Sequence, residues 1–158
     1  MKRLAMAGVL LPLLWLGACN SSGPVRRVSE PAASIQQLSV RADGSWSVDL
    51  RIDNFSSMPM RFDGISLAVS VGDQPAGTLQ GQPALSIGPE TADVATLALV
   101  PAAGAKILIA DALAAGRSIG YRLQGSLTAA PQDAGARTFR IERDNTLSPV
   151  PGLPGVLR

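Results

Sequence analysis

Between Trp46 and Gly72 the chain alternates apolar and polar positions twice. Trp46, Val48, Leu50 and Ile52 interleave with Ser47, Asp49, Arg51 and Asp53, the period-two pattern of a strand with one buried face. A second run places Phe62, then Ile65, Leu67, Val69 and Val71, against Ser66, Ala68 and Ser70. The connector Asn54-Phe55-Ser56-Ser57-Met58-Pro59 is built of turn formers, and its Pro cannot donate to a ladder. Two amphipathic strands cannot bury their apolar faces alone, so the rest of the chain must supply an opposing layer. At ~1.5–3 kcal/mol per buried large apolar side chain, four inward residues set an upper limit of ~6–12 kcal/mol on a strand. A slip of one residue in the Trp46 strand would turn that face to water and is not tolerated.

The same reading extends along the chain. A first strand is expected over residues 34–41, with Leu38 and Val40 on one face and Ile35 out of phase, as at a bulge or strand entry. Asp43-Gly44 joins it to the Trp46 strand as a hairpin, since both residues accept positive φ. After a turn at 72–75, a short strand over 76–80 contains Gly77, where the backbone bulges or is closely approached. Residues 84–87 lead into a buried strand over 91–100 carrying Val94, Leu97 and Leu99, whose mixed parity leaves its register open. One segment departs from this period. Ala105, Leu108, Ile109, Ala112 and Leu113 form a stripe at helical spacing, with Pro101 before it and Gly116 after it. Strands resume over 118–128, with Ile119, Tyr121, Leu123 and Leu127 on one face, and over 137–143, with Phe139 and Ile141 inward; 129–136 is a loop. The tail from Ser148 holds three prolines and is expected to be irregular.

The beginning of the chain follows another rule. Lys2 and Arg3 precede a 13-residue apolar run, Leu4 to Leu16, too short to span a bilayer and suited to a secretory signal. Leu16-Gly17-Ala18-Cys19 resembles the lipobox of bacterial lipoproteins, which implies cleavage before Cys19 and acylation of its sulfur and new amino terminus. The alternative is an ordinary signal peptide with a chance Cys. Cys19 is the single cysteine, so no disulfide can form within the chain. Asn20, where an Asp commonly retains such proteins in the inner membrane, implies the outer membrane, with the protein facing the periplasm. Residues 20–33, rich in Ser, Pro, Gly and Ala, read as a tether. The expected organisation is thus a signal peptide over 1–18, lipidated Cys19 and flexible tether over 19–33, one domain over 34–148 and an irregular tail over 149–158.

Composition narrows the chemistry. Charged residues are 16% and aromatics 4%, with 16 Gly and 12 Pro, a balance suited to a turn-rich β domain. Lys2 and Arg3 lie in the leader, and the 14 basic residues less these two match the 12 acidic ones. A near-neutral domain with no basic cluster beyond Arg26-Arg27 gives no footprint for nucleic acid. The sequence holds no His and no second Cys, which excludes Ser-His and Cys-His nucleophile pairs and His or Cys zinc sites. Asp49, Asp53 and Asp63 remain as carboxylates; on the solvent face of an amphipathic strand such groups are ordinarily solvated or pair across strands, here with Arg51 and Arg61. Asn54 is expected to bond the backbone of its own loop. No catalytic, cofactor or metal residue and no small-molecule substrate is expected.

The succession of strands, the Asp-Gly turn, Asn54 closing a strand, Ala76-Gly77, one helix and the closing pair GYRLQGSL and RTFRIERDNTL resembles the late embryogenesis abundant type-2, or water-stress and hypersensitive-response (WHy), domain. Phe55 stands where that family usually has Pro, and Ser56 replaces the second Asn of its Asn-Pro-Asn-like element. The resemblance implies a mainly β fold, an immunoglobulin- or fibronectin-like antiparallel β-sandwich with one short α-helix. It also implies a non-enzymatic role in protection against desiccation, cold and related stress. The partners expected are the membrane, through the anchor on Cys19, and protein clients. A subunit or scaffold of an envelope transport or assembly complex is the other reading.

Overall fold

The computed structural model describes Gly23 and residues 26–158; the expected signal peptide and the expected lipidation site Cys19 lie outside the described residues. Two antiparallel sheets pack face to face, as the fold class implied. One holds β6 (Thr91–Leu99), β2 (Trp46–Asn54), β1 (Ala32–Val40) and β9 (Val156–Leu157) in that order. The other runs β4 (Gln74–Gly81), β3 (Met60–Val71), β7 (Ile119–Pro131) and β8 (Arg137–Leu147), with β5 (Leu85–Ile87) also beside β3. No helix among the described residues is long and apolar enough to cross a membrane.

The alternating positions form the core. Trp46, Val48, Leu50 and Ile52 of β2 meet Leu67, Val69, Val71, Leu123 and Leu127 from the other sheet, all essentially inaccessible. Where parity breaks, a bulge absorbs it. Ile35 and Leu38 both point inward because Gln36 is the extra residue between the pairs Ile35↔Leu50 and Gln37↔Asp49. Phe62 and Ile65 do the same around Asp63, left unmatched between Phe62↔Ala129 and Gly64↔Thr128. The β1–β2 hairpin turns at the Asp-Gly pair, but only Gly44 takes positive φ, at 80°. The Gly44 amide bonds the Arg41 carbonyl at 2.9 Å, and the turn is a three-residue loop. At Gly125 the sheet requires the missing side chain: a Cβ there would lie 2.1 Å from the Ser66 carbonyl oxygen.

Several expectations are corrected. In β6 the inward residues are Ala95, Leu97 and Leu99, so Ala95 takes the place expected for Val94, which shares the outer face with its partner Arg51. β7 continues through Pro131, because Ala129 and Pro131 pair with Phe62 and Met60. β8 extends to Leu147. The segment expected to be an irregular tail carries β9, whose Leu157 is fully buried beside Leu38.

α1 (Ala103–Ala115) lies where the apolar stripe placed it and buries Ala105, Ile109 and Ala112 against β3 and β4. It has no side-chain N-cap and no acidic residue in its first turn, so packing holds it. It ends at Gly116, where the Arg117 amide closes on the Ala112 carbonyl at 2.9 Å.

The antiparallel registers divide the sandwich into two ends. Residues 26–31, loop 54–59, turn 88–90 and loop 132–136 share one end. Turns 41–45 and 72–73, α1 and residues 148–155 share the other.

Candidate functional site

The densest polar cluster sits at the end where the chain enters. Asn54, 1% exposed, closes β2. Its Nδ2 donates within 3.1 Å to the carbonyls of Met58, Ile87 and Gly88, and its Oδ1 accepts from the Ser56 amide at 2.9 Å. The expected bond to its own loop is therefore present, and the same side chain also ties in the β5–β6 turn. Ser56 is fully buried; its hydroxyl accepts from the Ser29 amide at 3.0 Å and donates to the Ser29 carbonyl. The Arg27 amide donates to Ser57 Oγ at 2.8 Å, and the Ser57 amide to the Arg27 carbonyl at 3.0 Å. The Glu90 amide reaches the Ser56 carbonyl, and the Gln132 amide the Pro59 carbonyl. Three segments thus converge on loop 54–59.

This cluster corrects the extent of the tether. Residues 26–31, expected within the tether, lie on the domain, with Val28 packed against the core. Arg26 and Arg27 approach Asp133 and Glu90 at 3.6 Å in exposed pairs, which add little to stability.

The three carboxylates singled out in the sequence do not converge. Asp49 accepts from the Thr96 hydroxyl at 2.7 Å across the β2–β6 ladder. Asp53 pairs with Arg51 at 2.8 Å, and Asp63, on the other sheet, with Arg61 at 2.7 Å. Those two pairs lie on the solvent faces and run along their own strands at i, i+2, not across strands. Among the described residues no group of three or more His, Cys, Asp or Glu is placed to hold a metal, and no buried side-chain polar atom lacks a partner.

Between the layers, the Tyr121 hydroxyl accepts the Ile35 amide at 2.9 Å. β9 covers only Leu38 and Ser39 of β1, so the Ile35 amide finds its partner across the core. Burial raises the Tyr121 pKa above its usual 10.0, against the opposing effect of that hydrogen bond. Sequence reasoning placed Tyr121 inward but carried no signal for this bond, because it depends on where β1 bulges. It missed Ser56 as well, whose partner lies 27 residues earlier in a segment without period.

A concave surface lies at the opposite end. A groove of about 610 Å³ runs between Leu113, Ala114 and Gly116 of the helix end and residues 149–155. Its lining is mostly apolar, from Leu113, Val150, Leu153 and three prolines.

Comparison with known proteins gives the family. The model for late embryogenesis abundant protein, LEA_2, matches residues 49–145, more than half of the chain. The chain belongs to the LEA_2 family. The match runs from β2 through β8 and so takes in Asn54, loop 54–59, α1 and Tyr121. No curated protein sequence matches. Among solved structures, the solution structure of AT1g01470 from Arabidopsis thaliana is similar at 17% identity, covering 78% of this chain and 80% of that one, with a TM-score of 0.49. The putative ApaA protein from Bordetella pertussis is similar at 12% identity, covering 82% and 100%, with a TM-score of 0.48. A protein from Archaeoglobus fulgidus is similar at 14% identity, covering 76% and 97%, with a TM-score of 0.40.

Proposed function

We propose that this LEA_2 protein is a non-enzymatic, lipid-anchored envelope protein that protects other proteins against desiccation and cold from the periplasmic face of the outer membrane. Membership of a family with a stress-related, generally non-enzymatic role carries the reading. The leader, the lipobox-like Leu16 to Cys19 and the near balance of charge beyond it support the address. A folded surface of small exposed ion pairs suits weak contact with many clients, since no single pair contributes much. Acylation at both the sulfur and the amino terminus supplies the multiple chains a stable anchor needs.

A labile enzyme dried or freeze-thawed with residues 21–158 tests the protective role. Recovery above that given by an equal mass of albumin supports it, and equal recovery counts against it. Mass spectrometry of Cys19 and fractionation of membranes test the anchor separately. The second reading, a subunit or scaffold of an envelope transport or assembly complex, is favoured by the uncovered apolar surface around α1. A stoichiometric partner recovered from membranes would support that reading over the first.

A further inference from the structure

Loop 54–59 is pinned at every second residue. Asn54, Ser56 and Met58 are buried, whereas Phe55, Ser57 and Pro59 face outward. The residues on either side of Phe55 are held through the Asn54 and Ser56 side chains to Met58, Ile87, Gly88 and Ser29. Phe55 is therefore presented from a fixed base. It is 51% exposed, and among the described residues it is the one large exposed apolar side chain at this end. A single exposed aromatic is common on a protein surface. What marks this one is where the chain enters.

Arg27 and Ser29 are bonded to Ser57 and Ser56, the two residues after Phe55, so the entering segment arrives beside it. Whatever their conformation, the six residues between Cys19 and Arg26 cannot hold those two Cα atoms more than about 25 Å apart. The nine residues of β2 set this end ~27 Å from the helical one. An acyl group on Cys19 therefore keeps loop 54–59 within reach of the lipid surface, whereas bringing α1 to that surface would stretch the connection to its limit. Tethering at this distance raises the effective concentration of lipid around Phe55, so one side chain seats there without a strong affinity of its own. Charge does not direct the contact. Arg26 and Arg27 face Asp133 and Glu90 at 3.6 Å, and neither is left as an unpaired cation for anionic headgroups.

We propose that loop 54–59 is a lipid-facing surface, on which Phe55 seats in the headgroup region of the phospholipid leaflet that holds the anchor, with α1 directed away from it. This orientation rests on the acylation of Cys19 proposed for the function, since the acyl group is what brings the bilayer to this end.

The full chain, expressed with its leader, extracted in detergent and reconstituted in phosphatidylethanolamine–phosphatidylglycerol nanodiscs, tests this with a nitroxide placed just below the lipid headgroup. The amide resonances of Phe55 and Ser57 should be broadened, while those of Ile107 and Leu108 keep their intensity. Phe55→Ser should reduce the broadening at least about threefold, with its urea midpoint unchanged. Raised salt should leave the wild-type broadening as it was. Mass spectrometry of the same sample separates the two readings. Without acyl chains on Cys19 the anchor and the orientation fall together. An acylated protein broadened equally at both ends, more at α1, or at neither overturns the orientation alone. Broadening that is indifferent to Phe55→Ser, or that disappears at raised salt, removes Phe55 as the contact and overturns the proposal. So does a stoichiometric protein bound on loop 54–59 in place of lipid.

Discussion

At the end where the chain enters, loop 54–59 gathers three segments through hydrogen bonds, and Asn54 alone bonds four backbone groups. At the other end α1 has no side-chain N-cap, lies on β3 and β4 by packing, and leaves Val100, Ile107 and Leu153 to solvent. The first end is closed because its polar groups satisfy one another. The second has apolar surface that its own fold does not cover. In one small sandwich, buried polar bonding concentrates at the entering end and uncovered apolar side chains at the helical one.

Substitutions can break that contrast in graded steps. The largest effect is expected for Asn54→Ala, which leaves the Ser56 amide and a set of carbonyls unpaired in a buried site. A loss of about 3 kcal/mol in urea unfolding is expected, because an unsatisfied buried polar group costs ~1–3 kcal/mol. Leu157→Ala opens a cavity beneath β9 at the helical end, and a loss of ~2–3 kcal/mol is expected by the same measurement. An effect under ~0.5 kcal/mol would show that the last strand is not part of the fold.

Tyr121→Phe lies between the two ends and removes only the bond to Ile35, for ~1–2 kcal/mol. It also sharpens the pH dependence. The folded Tyr121 has a pKa raised above 10.0, so its contribution is complete below pH 10.0 and is lost as pH rises through the folded value. Wild-type stability should therefore fall in that alkaline range more steeply than that of Tyr121→Phe. The smallest effect belongs to Ile107→Lys. Its unfolding midpoint should stay within ~0.5 kcal/mol of wild type, since the side chain is exposed in the single chain.

The strands were legible because one-sided burial writes itself as a period of two, and β2 matched its expected start at Trp46 and end at Asn54. The helix was legible for the matching reason at a longer period. Legibility failed where small residues enter the core. Ala95 gives a weaker signal than Val94, so the mixed parity of β6 left its register open. Leu157 was hidden among prolines, although a single buried Leu beside Leu38 is enough to fix the end of the chain. Asn54 could be read as a loop-closing residue because its first partners are local. Its reach to Ile87 and Gly88, the burial of Ser56 and the docking of 26–31 depend on backbone atoms distant in sequence, which leave no pattern.

The central claim is that the entering segment belongs to the folded body, fastened through Ser56 and Ser57. Hydrogen–deuterium exchange at the amides of Arg27, Ser29, Ser56 and Ser57 tests it most directly. Protection approaching that of the β2 amides is predicted, although none of these residues lies in a strand. Exchange of all four at the rate of an unstructured peptide, with β2 still protected, would contradict it.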